Sequence, residues 1–128
     1  MSKTSTSARL AMIQAFANFM DNGSQSATII FYEGVQPASP AIAADANSAL
    51  VTLTFPEPCI KETTAAYVEL HPTDTATVIK TGIAAWARIY NGAGEVAADL
   101  AVGTDISLAN TNLALGGTLS VTSIKLRP

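Results

Sequence analysis

Residues 77–104 read TVIKTGIAAWARIYNGAGEVAADLAVGT, and this stretch decides the fold. Trp86, Arg88 and Tyr90 alternate with Ala85, Ala87 and Ile89, the period-two pattern of a strand with two distinct faces. Asn91-Gly92-Ala93-Gly94 interrupts that run with glycines that reach positive φ without strain, which is a hairpin signal. A second strand-like run, Glu95 to Leu100, follows. The pattern specifies a β scaffold and carries almost no reactive chemistry.

Strand and turn signals continue on both sides of this hairpin. Upstream, Ala27 to Glu33 contains the apolar run Ile29-Ile30-Phe31-Tyr32 and reads as a buried strand. Leu50 to Phe55 gives another strand, stopped by Pro56-Glu57-Pro58, because proline cannot donate to a ladder. Cys59 to Lys61, Ala66 to His71 and Ala76 to Lys80 read as short strands, with a turn at Pro72-Thr73-Asp74. Downstream, Ile106-Ser107-Leu108 is a short apolar stretch. Thr118 to Leu126 alternates as a closing strand, with one phase slip at Thr122-Ser123 that a bulge would explain. The expectation is about eight strands with turn signals every ~8–12 residues, an all-β antiparallel sandwich of jelly-roll type.

One helix precedes the strands. Ser5, Thr6 and Ser7 offer N-caps, and Asn22-Gly23 offers a stop, which places the helix at about residues 8–21. Leu10, Ile13, Ala17 and Met20 follow helical spacing, and Met12, Phe16 and Phe19 widen the apolar face. So apolar a helix has to be covered, either by its own sheet or by a neighbouring subunit. Residues 10–20 are also the one candidate targeting segment. Gln14 and Asn18 interrupt it, and its length falls well short of the ~20 residues a bilayer requires. No membrane association is expected.

A length of 128 residues fits a single domain spanning residues 1–128. Only 13% of the residues are charged, against an average near 25%. Either a partner covers part of the surface, or Thr, Ser and Asn supply its polarity. The net charge is −3, and the seven basic residues are scattered, so no footprint for nucleic acid emerges.

The search for chemistry is short. His71 is the one histidine, and it precedes Pro72; no G-x-S-x-G accompanies it, so it reads as a turn residue rather than a triad member. With one Cys, one His and dispersed carboxylates, neither a disulfide nor a zinc or calcium site is expected. Glu57, Glu62, Glu69, Glu95 and Asp99 lie on or beside strands, where a charge ordinarily marks the solvent face rather than a glycosidase pair. No enzyme and no cofactor are expected.

The Trp86-Arg88-Tyr90 face admits two readings. These residue types are enriched at interface hot spots, so they form one candidate contact stripe. Alternatively, Trp86 fills the core and Arg88 pairs with a buried carboxylate. A carbohydrate-binding module would also use an exposed aromatic here. The loop 34–48, with Val35, Pro37 and Pro40, is too apolar for a free linker and is expected to lie against protein. The interface candidates are Phe16, Phe19, Val35, Pro37, Pro40, Trp86, Arg88 and Tyr90.

The chain resembles a group of small bacteriophage and prophage virion proteins. The resemblance lies in the N-terminal helix, the Ile-x-x-Tyr-x-Gly-x-x-Pro-Ala-x-Pro stretch at residues 29–40 and the Ala-Trp-Ala-Arg-Ile block at 85–89. It continues in the Val-Gly-Thr turn at 102–104 and the closing Gly-Gly-Thr-Leu-Ser-Val-Thr-Ser strand at 116–123. The chain departs after Val102, where Asp105 follows Thr104 directly in place of a longer Ser-Gly-Ala-type loop. The resemblance implies a capsid cement or decoration protein. It would be made in the bacterial cytoplasm, bind the major capsid protein on the virion surface, and associate with itself as a dimer or trimer. A tail or neck component is the alternative within that class, and a glycan-binding module the alternative outside it.

Overall fold

The computed structural model describes residues 6–57, 60–63, 67–106, 108, 110–121 and 124–126. The chain is mostly β. A helix α1 (Thr6–Met20) is followed by β1 (Thr28–Tyr32), a 3-10 turn at Ala46–Ser48, β2 (Ala49–Thr54), β3 (Ile60–Thr63), β4 (Val68–Leu70) and β5 (Ala76–Thr77). Then come β6 (Gly82–Ile83), β7 (Trp86–Tyr90), β8 (Val96–Ala101), β9 (Asn112–Leu113), β10 (Thr118–Leu119) and β11 (Ile124–Leu126).

The main sheet has the order β2-β1-β7-β8 and is antiparallel throughout. Three small sheets accompany it: β11-β4-β3, β10-β5 and β6-β9. Alternation assigns the faces of the main sheet. Ile29 and Phe31 on β1, Val51 and Leu53 on β2, and Ala87 and Ile89 on β7 share one face and are fully buried. Leu70, Val78, Leu113, Val121 and Ile124, from the small sheets and their connections, belong to the same apolar cluster. One buried apolar cluster therefore draws on both the main sheet and the small sheets. Each large aliphatic side chain fully buried there contributes roughly 1.5–3 kcal/mol.

The helix joins this core through its last turns. Met20 is fully buried and Phe16 packs against the cluster, whereas Ala11, Met12 and Ala15 are exposed. The helix touches β3. Its own protein thus covers its C-terminal end, and part of its apolar surface stays open.

The strand count differs from the expected eight because runs that read as continuous are cut. Residues 83–91 split into β6 and β7: the Ala84 amide donates to the Thr111 carbonyl at 2.8 Å, and that of Ala85 donates to Tyr32 at 2.9 Å. The chain changes partner between these two residues, so no single ladder runs through them. The closing strand divides into β10, paired with β5, and β11, paired with β4. The bulge expected at Thr122-Ser123, and Cys59, lie outside the described residues. Ile106 is not in a strand; it makes an isolated bridge to Val102. Asn112–Leu113 pairs with Gly82–Ile83 although it carries no β-branched signal.

Asn91 builds the β7–β8 hairpin. Its Oδ1 accepts from the amides of Ala93 (3.0 Å) and Glu95 (2.9 Å), and its Nδ2 donates to Glu95 Oε1 (3.2 Å). The Gly94 amide returns to the Asn91 carbonyl at 3.0 Å, with Gly94 at φ +82°. The glycines allow the turn, and the asparagine side chain holds it closed.

Candidate interaction surface

The Trp86-Arg88-Tyr90 face is the reverse of the core face, as the alternation predicts. Its residues turn inward nonetheless. Trp86 is 3% exposed and stacks on Tyr32 of β1, with ring centroids 4.4 Å apart and planes 16° apart. Arg88 is 1% exposed. Its Nε donates to Asp99 Oδ1 at 2.7 Å and its Nη2 to Asp99 Oδ2 at 3.0 Å, the two-pronged geometry that suits a guanidinium and a carboxylate. The Arg88 guanidinium carbon lies 5.4 Å from the Trp86 ring centroid. Tyr90 is half-buried, and its hydroxyl lies 3.4 Å from that of Tyr32.

This cluster is electrostatically settled. The hydrogen bonds to Asp99 hold the Arg88 pKa above its ordinary value, against the opposing effect of burial. Burial, followed by the hydrogen bond to Tyr90, pushes the Tyr32 hydroxyl well above its ordinary range. Trp86 and Arg88 therefore give no external contact stripe. Trp86 likewise offers no open ring for a sugar.

The surface that does project is the loop between β1 and β2. Val35 at its start is 92% exposed, Pro40 and Ile42 are exposed, and Pro37 is half-buried. The loop is held at both ends. The Glu33 amide donates to the Ser48 carbonyl at 3.0 Å. Lys80 Nζ donates to the Asn47 carbonyl at 2.8 Å and lies 2.8 Å from Glu33 Oε2, an oxygen with no other partner among the described residues. Asp45 caps the 3-10 turn through the Asn47 amide at 3.0 Å. At the tip, Ser39 Oγ accepts from the Ala41 amide at 3.1 Å and the Ser39 carbonyl from the Ile42 amide at 3.0 Å. Two prolines and these bonds fix the loop before it meets anything, which lowers the entropy lost on binding.

The neighbouring turns add apolar surface. Ile79, Ile83 and Leu115 are all exposed. Their segments are tied to the loop base and to one another: the Ile79 amide donates to the Leu50 carbonyl at 2.8 Å, and that of Leu115 to Thr81 Oγ1 at 2.9 Å. Val35, Ile79, Ile83 and Leu115 thus sit on adjoining segments around the Lys80–Glu33 pair. The exposure of Ile79, Ile83 and Leu115 has no local mark in the sequence, because alternation alone does not say which short strands lie at a rim.

Of the remaining candidates, Phe16 packs on the core and Phe19 is half-buried. The carboxylates mostly organise main chain: Asp74 accepts from the Thr54 amide at 2.8 Å and Asp105 from that of Ala101 at 2.9 Å. Glu62 and Glu69 are register partners on β3 and β4, with Lys61 Nζ 3.8 Å from Glu69 Oε2. Among the described residues no cluster of metal-ligating side chains forms, and no helix is long and apolar enough to cross a membrane. Comparison with protein-family models, curated proteins and solved structures gives no match to this chain.

Proposed function

We propose that this chain is a structural protein of a phage virion, a decoration or cement protein that binds the major capsid protein on the head surface. The observation that carries the reading is the pre-organised apolar loop 34–48, flanked by Ile79, Ile83 and Leu115 on a low-charge surface. Such a surface docks on protein with little desolvation of charge. A cement protein gains from repetition: modest affinity at each contact multiplies when several shell subunits are engaged. In this reading the two layers around the Ile29–Phe31 core form a jelly-roll-type sandwich, and the chain associates with itself as a dimer or trimer.

The test is reconstitution. Purified chain added to shells lacking it should cosediment in large, saturable copy number and raise the temperature at which the shells rupture. Absence of cosedimentation overturns the reading. Binding confined to tails or necks moves the chain to the alternative place in the same particle.

A further inference from the structure

The two edges of the main sheet differ. On the outer edge of β2, the Leu50 carbonyl accepts from Ile79, and Thr54 exchanges bonds with Asp74 through its amide (2.8 Å) and its carbonyl (3.0 Å). That edge is tied down at its two ends, with only the main chain of Thr52 facing out between them. On β8, the Ala101 amide and carbonyl both turn away from β7 onto Asp105, at 2.9 Å each. At the hairpin, the Asn91 amide donates inward to the Glu95 carbonyl at 2.9 Å. Alternation between these fixed points directs the main chain of Ala98 and Leu100 toward β7 and that of Asp99 outward. The register shift leaves Ala97 as the extra residue, so the main chain of Val96 faces outward as well. Among the described residues, these outward groups of Val96 and Asp99 have no partner.

Exposed edges are ordinarily defended by Lys, Pro or an inward charge that blocks a neighbour. This one reads Val-Ala-Ala-Asp-Leu-Ala. Its single charge is withdrawn: the Asp99 carboxylate is folded onto Arg88 and is 4% exposed. Two copies of the strand can therefore approach without like-charge repulsion.

We propose that β8 is a self-association edge, pairing antiparallel with β8 of a second copy about a two-fold axis. Val96 of each chain lies opposite Asp99 of the other, because the bulge at Ala97 compresses three residues into two ladder positions. The pairing adds about four main-chain hydrogen bonds and joins the two main sheets into one. A two-fold contact uses the same patch on both chains and so closes at the dimer. The inference names the surface and the state of the self-association proposed above. It does not depend on where the chain sits in a virion.

The experiment uses the full chain without capsid. Sedimentation velocity and backbone hydrogen exchange are measured across about 1–200 µM, alongside the Val96→Pro variant, since an edge residue whose amide faces solvent tolerates proline. A dimer of twice 13.2 kDa is expected, with Val96 and Asp99 amides slowed at least about tenfold as concentration rises. Val96→Pro should be a folded monomer, its fold checked by the near-ultraviolet signal of Trp86. A monomer at all concentrations, a trimer, or a dimer with unprotected Asp99 overturns the proposal. If Val96→Pro fails to fold, the exchange of the native chain decides alone.

Discussion

Arg88 and Asp99 face each other on neighbouring strands and bond twice, at 2.7 and 3.0 Å, with both side chains almost wholly withdrawn from solvent. Strand register makes this possible. The two residues form a pair that exchanges no main-chain bonds, where side chains approach most closely. The pair lies on the reverse of the core face, beside the Tyr32–Trp86 stack.

Removing one partner should cost far more than removing both. Arg88→Met or Asp99→Leu alone strands a buried charge and should lower stability by about 3–5 kcal/mol. The double variant should recover most of that loss, since apolar side chains can fill the same space. Urea denaturation of the four proteins in a cycle measures the coupling. Additive losses would show that the pair does not act as a unit.

Gly23 and Gly92 join the helix end to the β7–β8 hairpin through close main-chain contact. Gly23 has φ +106°, and a Cβ there would collide with Gly92 and Ala93 main chain; one on Gly92 would collide with the Gln25 carbonyl. The Gln25 amide also donates to the Gly92 carbonyl at 3.3 Å. Gly92→Ala should destabilise by about 1–3 kcal/mol, the usual cost of overpacking. Gly94→Ala meets no atom within 4 Å and carries only the cost of positive φ, so it should cost less. Thermal unfolding of both variants tests the ranking; the reverse order contradicts the contact.

Tyr32 gives the pH dependence a direction. Burial and its bond to Tyr90 raise the folded-state pKa above the unfolded value near 10. The protonated form is therefore favoured in the folded state. Its contribution is present below about pH 10 and is lost as pH rises through the folded value. Tyr32→Phe keeps the ring on Trp86 and loses only a 3.4 Å hydrogen bond, so near neutrality the change should stay within about 1 kcal/mol. Above pH 10 its stability should fall less steeply than that of the native chain. Parallel slopes in denaturation at pH 8 to 11 would refute the assignment.

The loop separates folding from binding. Val35→Ser and Ile42→Ser alter exposed side chains and should leave stability within about 0.5 kcal/mol. Together they should weaken attachment to shells at least about tenfold. Unchanged attachment would exclude the loop from the interface.

How much was legible depends on the range of the interaction. The β7–β8 hairpin was readable because Asn-Gly and strict alternation are local signals. The faces of β7 followed from the same alternation, and so did the alternative in which Arg88 meets a buried carboxylate. What alternation cannot supply is the covering of a face. Alternation left Trp86 open between a contact residue and a core residue, and the Tyr32 ring that stacks on it comes from 54 positions away in sequence. The strand breaks at Ala84–Ala85 and after Leu119 were hidden for a related reason: the chain changes partner there, and partners are set by tertiary pairing. The prolines and apolar content of loop 34–48 are local signals, but its anchoring by Lys80 is a long-range contact with no local mark.

Quantitative mass spectrometry of purified particles from the encoding phage or prophage tests the proposed virion role most directly. A copy number close to that of the major capsid protein is expected. Complete absence from the particles would contradict it.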